Sequence, residues 1–133
     1  MNDITSYMLE QTKKILSIDS PTGFTAHAAE YVLGAYKKLG YDAKLTNKGG
    51  IFVCVNDGPD QADDPADAPI LLEAHMDTLG GMVCSINEKG RLMLSALGGM
   101  NPNNAEAENC RVYTRSGKVY SGTFQLKNAS IHV

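Results

Sequence analysis

The hydrophobic period of the chain changes near residue 78, and this change constrains the fold more than any other feature of the sequence. Before it, apolar residues recur at helical spacing. Ile4, Met8, Ile15 and Leu16 fall roughly on one helical face behind a cap at Asn2 or Asp3. "SPTGFT", Ser20 to Thr25, interrupts that pattern with Pro21 and Gly23. A second helix follows in "TAHAAEYVLGAYKKLG", with Ala28, Val32, Ala35 and Leu39 on one side, Thr25 as the expected cap, and Gly40 as its end. "YDAKLTN" and "GGIFVCVND" read as two strands turning at Lys48-Gly49-Gly50.

After residue 78 the texture is that of short alternating strands joined by glycine-bearing turns. "GMVCSINEKGRLMLSALGG" reads as a hairpin turning at Glu88-Lys89-Gly90, and "CRVYTRSGKVYSGTFQL" as another turning at Ser116-Gly117-Lys118. A helix–strand layer followed by an all-β module is an α/β chain, with a boundary expected between residues 1–78 and 79–133. The aspartate-rich connector from Asp57 to Pro69 lacks the spacing of a calcium loop and reads as a solvated link.

A net charge of −3 over 133 residues supplies no basic field, so nucleic acid is not an expected partner. Residues 1–19 contain neither a signal-peptide apolar core nor a membrane-length span. Cys54, Cys84 and Cys110 are odd in number and lack C-x-x-C spacing, which suits reduced thiols. The expectation is a cytoplasmic protein with no membrane partner.

The residues with chemical potential lie in "PILLEAHMDTLGGMV", Pro69 to Val83. Ile70, Leu71 and Leu72 read as a buried strand of an α/β sheet, whose carboxyl end is where ligands collect. His75 and Asp77 follow at i and i+2, on one face if the strand continues. If the backbone turns after Asp77, as Gly80 and Gly81 would permit, the carboxylate can hold one imidazole nitrogen. The other nitrogen is then free for a metal ion, with its basicity raised. A surface histidine next to a turn-forming aspartate is the plainer alternative for so short a motif. His27, in the first turn of the second helix, reads as a solvated surface residue.

The dispersed motifs resemble those of the tetrahedral-aminopeptidase family, also called glutamyl or deblocking aminopeptidases, which are two-metal peptidases. "SPTGFTAHAAEYV" is similar to that family's P-S-G-x-E-x-x-V opening, and "LLEAHMDTLGGMV" to its A-H-M-D-E-I-G-F-M-V. "GRLMLSALGGMNP" and "RVYTRSGKVYSGTFQ" look like segments of its inserted β-barrel, and the likeness runs from about residue 17 to the end.

The resemblance implies that His75 is a ligand of one metal and Asp77 the catalytic aspartate that orients it. Residues up to about 78 would begin the catalytic domain, within a helix-flanked mixed sheet. Residues 79–133 would begin the antiparallel barrel, which the family uses in dimerisation. Two divalent ions per complete site, zinc or cobalt, and a peptide substrate with a free amino end are likewise implied. Thr78 stands where the family often has Glu, and Gly81 where it often has an aromatic; neither is a ligand position.

The bridging carboxylate, the other ligands and the general-base Glu would come from a later part of the catalytic domain than this chain carries. His132 is a weak substitute because of its place in the barrel segment. One imidazole and one supporting carboxylate fall short of the three or four ligands a metal site needs, so the chain alone is expected to be inactive. The strand at 69–75 would also lack its parallel neighbours, leaving an apolar edge. Two other readings compete: a non-catalytic module that oligomerises through its β segment, and a portion of a related two-metal dipeptidase or deacylase. The two later hairpins argue against the second of these.

Overall fold

The computed structural model describes residues 3–55 and 70–128. The chain divides into two compact units, Met1–Thr78 and Leu79–Val133.

The first unit starts with α1, Asp3–Leu16, which has Asp3 in its first turn and Lys13 and Lys14 in its last. Those charges complement the helix dipole. No residue of α1 is buried. A hydrogen bond from the Tyr31 hydroxyl to Gln11 Oε1, 2.7 Å, links it to α2, Ala26–Lys38. Ala28 and Ala29 of α2, together with Ala43, are the buried apolar residues among those described. The burial thus comes from methyl groups, and Leu39, expected on the inner face, is exposed.

Thr25 precedes α2 but its side chain makes no capping bond. Its backbone (φ −94°, ψ 0°) is already helical, whereas a capping hydroxyl requires extended backbone to reach the N–H groups beyond it. The other end of α2 meets expectation. Gly40 takes φ +90°, Tyr41 N–H donates to the Tyr36 carbonyl at 3.2 Å, and Gly40 N–H to that of Lys37 at 3.0 Å. This paired closure satisfies the last carbonyls and requires a residue free to adopt positive φ. Then β1, Lys44–Leu45, pairs antiparallel with β2, Ile51–Phe52.

The second unit is built from two hairpins. Strand β3, Gly80–Ile86, pairs with β4, Leu92–Leu97, from Gly80↔Leu97 to Ile86↔Leu92, with a bulge between Val83 and Ser85. The Asn87 side-chain oxygen accepts from Lys89 N–H at 3.0 Å and Arg91 N–H at 2.9 Å, closing the turn expected there. A short helix, α3 (Pro102–Ala105), is capped by Asn101, whose side chain accepts from Asn103 N–H at 3.0 Å. Strand β5, Asn109–Tyr113, pairs with β6, Val119–Thr123, around a turn that the Thr114 hydroxyl holds by bonding Lys118 at both its N–H and its carbonyl. Phe124, just past β6, lies with Leu94 against Gly81: a Cβ at Gly81 would stand 3.3 Å from Leu94 Cδ1 and 3.5 Å from the Phe124 ring.

The α/β character is as expected, but the described sheets are three separate two-stranded antiparallel ladders. The parallel pairing in the first unit is an isolated bridge between Pro21 and Thr78.

Two expectations for the residues on either side of His75 and Asp77 are corrected. Ile70, Leu71 and Leu72 form no strand, and they are 87%, 70% and 90% exposed. A strand between parallel neighbours needs those neighbours for its N–H and carbonyl groups, and none pairs with this run among the described residues. Gly80 and Gly81 do not form a turn after Asp77 but open β3, where a Cβ at Gly81 would crowd Leu94 at 3.3 Å. The connector from Asp57 to Pro69 and His132 lie outside the described residues. No disulfide joins Cys54, Cys84 and Cys110. No helix among the described residues is long and apolar enough to cross a membrane.

Candidate functional site

His75 and Asp77 lie side by side on irregular backbone. His75 Nδ1 is 3.2 Å from Asp77 Oδ1 and 3.0 Å from the Asp77 carbonyl oxygen. Both neighbours of Nδ1 are acceptors, so in the neutral ring this nitrogen carries the proton and Nε2 the lone pair. The His75 side chain is 85% exposed and that of Asp77 40%, so the ring is open to solvent and its brace is half covered.

The segment carrying the pair is fixed by "SPT", Ser20 to Thr22, which the sequence marks as a helix break and as the start of the family resemblance. Ser20, 2% exposed, donates from its hydroxyl to the Met76 carbonyl at 2.8 Å. Thr78 N–H donates to the Ser20 carbonyl at 2.8 Å, and Thr22 N–H to the Thr78 carbonyl at 3.3 Å. The Thr22 hydroxyl donates to Asp77 Oδ2 at 2.7 Å. Three of these four bonds end on main-chain groups of Met76 and Thr78, and the fourth reaches the site carboxylate.

The Thr22 hydroxyl does most to hold the Asp77 carboxyl below the usual carboxylate range. Partial desolvation opposes it, while the residue's own backbone N–H and the neighbouring His75 ring act in the same direction as Thr22. Asp77 is therefore an ionised acceptor at neutral pH. His27 is exposed and stacks edge-on against Phe24, with centroids 5.8 Å apart, as a surface residue would. Glu73 is exposed as well.

No group of three or more His, Cys, Asp or Glu side chains that could hold a metal ion occurs among the described residues. A zinc or cobalt centre takes about three or four protein ligands. The pair supplies one nitrogen with a bracing acid, which is not a metal centre by itself.

The M42 glutamyl aminopeptidase family model matches residues 50–133, a span that includes His75, Asp77 and both hairpins of the second unit. The chain belongs to that family. Among curated relatives of this M42 chain, a Bacillus subtilis (strain 168) protein named "Putative aminopeptidase YhfE" is 36% identical over 125 residues, covering 94% of this chain and 34% of the relative. The glutamyl aminopeptidase of Lactococcus lactis subsp. cremoris (strain MG1363) is 32% identical over 112 residues, covering 84% of this chain and 30% of that protein. The M42 chain thus spans about a third of the length of the curated relatives it matches.

Proposed function

We propose that this chain carries the first part of a metal-dependent aminopeptidase, with His75 as a ligand to one of two divalent ions and Asp77 as the acid that orients it. The substrate class is a peptide with a free amino end, cleaved at its first peptide bond. The single observation carrying this reading is Nδ1 of His75 facing two oxygens of Asp77, within a segment matched by the M42 family. A neutral imidazole so braced is fixed in the tautomer that presents Nε2. The remaining ligands and the general-base Glu lie outside the described residues. On this reading the 133-residue chain turns over little or no peptide. Residues 79–133 are read as the start of an antiparallel barrel that pairs copies of the parent protein, and the two hairpins β3–β4 and β5–β6 are consistent with it. A cytoplasmic setting and zinc or cobalt as the metal belong to the same proposal.

Two measurements test it. Assay of aminoacyl-p-nitroanilides with added zinc or cobalt is expected to give no turnover above the metal blank, and robust turnover refutes the claim of inactivity. Cobalt titrated into the chain is expected to broaden the ring signals of His75 well before those of exposed His27. Equal broadening of both rings would remove the ligand role from His75.

A further inference from the structure

Thr22 has no part in the proposed reading of His75 and Asp77. Yet its hydroxyl is bonded to the carboxylate oxygen that His75 does not use. Oδ2 of Asp77 accepts from Thr22 at 2.7 Å, and Oδ1 lies 3.2 Å from His75 Nδ1. The terminal torsion of an aspartate is broad and nearly two-fold, so a carboxylate held at one oxygen still swings. A second donor on the other oxygen removes that freedom. The Thr22 backbone is itself fixed, since its N–H donates to the Thr78 carbonyl and Pro21 bridges Thr78 in parallel register. A β-branched residue adds a stiff χ1, which keeps the hydroxyl aimed.

We infer that Thr22 is a positioning residue: its hydroxyl fixes the plane of the Asp77 carboxylate, and through it the tautomer and orientation of His75. This inference rests on the reading of His75 and Asp77 as a ligand and its brace, but concerns only side chains of this chain. Without the hydroxyl, Asp77 samples several rotamers. His75 Nδ1 then keeps the Asp77 carbonyl as its one fixed acceptor and loses a charge-assisted partner.

The test is NMR on the metal-free 133-residue chain. Side-chain couplings of Asp77 report its rotamer, ring-nitrogen shifts report the His75 tautomer at a pH where the ring is neutral, and His27 serves as internal reference. In Thr22→Val the Asp77 couplings are expected to average. The ratio of Nδ1–H to Nε2–H at His75 is expected to fall about fivefold, the effect of one lost hydrogen bond. Thr22→Ser is expected to restore both. Exchange of the Thr78 N–H, bonded to the Ser20 carbonyl, is expected to stay constant and separates positioning from loss of docking. Unchanged couplings and tautomer in Thr22→Val overturn the inference, as does a Thr22→Ser that behaves like Thr22→Val. If Thr22→Val also loses Thr78 protection, Thr22→Ser against Thr22→Ala decides, because that pair differs by the hydroxyl alone. Equal couplings in those two overturn the inference, and averaging confined to Thr22→Ala supports it. No metal enters this test, so its failure is distinct from a failure of the cobalt experiment.

Discussion

Replacing Ser20 by Ala tests how the site segment is docked. The change removes one hydroxyl, buried to 2% exposure, that donates to the Met76 carbonyl at 2.8 Å. It leaves the volume almost unchanged, so no cavity contribution arises. A net hydrogen bond contributes about 0.5–1.5 kcal/mol, and leaving a buried partner unsatisfied costs about 1–3 kcal/mol. The bond is part-buried, which places the effect in the lower range, about 1–2 kcal/mol. That is a factor of roughly 5–30 in the opening equilibrium. The reporter is the Thr78 N–H, which donates to the carbonyl of Ser20 itself at 2.8 Å. Amide hydrogen exchange in Ser20→Ala is expected to show Thr78 losing protection by that factor. The Ala29 N–H, bonded to the Thr25 carbonyl at the start of α2, is expected to keep its own rate. A change below about twofold at Thr78 would refute the docking role. Equal loss at Ala29 would show that the effect is unfolding of the whole unit rather than release of residues 76–78.

Three further outcomes follow from other parts of the structure. The Asp77 carboxyl ionises below its ordinary value when folded, so the stabilisation linked to its charge is complete above the ordinary pKa of about 4 and is lost as pH falls through the lower folded value. Thr78 protection should therefore hold from neutral pH to about 5 and decline below about 4; a decline already under way at pH 6 contradicts this assignment. Gly98→Ala should destabilise the second unit by about 1–2 kcal/mol, because its φ is +70° and a new Cβ would sit 3.0 Å from Leu79 Cδ2. Gly117→Ala, at φ +80° with open space around it, carries the backbone cost alone, about 1 kcal/mol, and should cost less than Gly98→Ala; thermal melts reversing that order would count against the packing described. Leu72→Lys should change stability by less than about 0.5 kcal/mol, since Leu72 is 90% exposed; a loss of several kcal/mol in urea unfolding would restore the buried-strand reading.

The sequence was most legible where the determinant is local. The hairpin turns could be located because Gly90 and Gly117 occupy positive φ at positions that side chains disfavour, and the end of α2 because Gly40 does the same. The proximity of His75 and Asp77 was legible for a similar reason, since two residues at i and i+2 need little help to meet. Misreadings came where a partner distant in sequence decides. An apolar run such as Ile70-Leu71-Leu72 records a preference for burial but not what would cover it. The hydroxyls of Ser20 and Thr22 act on residues 56 and 55 positions away, which no spacing rule reaches. "SPTGFT" was therefore read as a helix break and a family-like opening, although its small polar residues also hold the site segment. Thr25 failed as a cap because its backbone, not its side-chain chemistry, is in the wrong region. The four-residue α3 is too short for a period to register, though Asn101 before Pro102 carries a capping signal.

The contacts made by Met76 and Thr78 to the Ser20–Thr22 segment have a consequence for how this stretch tolerates mutational drift. Because they run through amide and carbonyl groups, the attachment does not depend on which side chains stand at positions 76 and 78. An acid in place of Thr78 would leave the anchorage intact. Exchange at 20 or 22 removes a hydroxyl that nothing else supplies. The attachment therefore asks for a hydroxyl at 20 and at 22, from serine or threonine alike, and asks nothing of the side chains at 76 and 78.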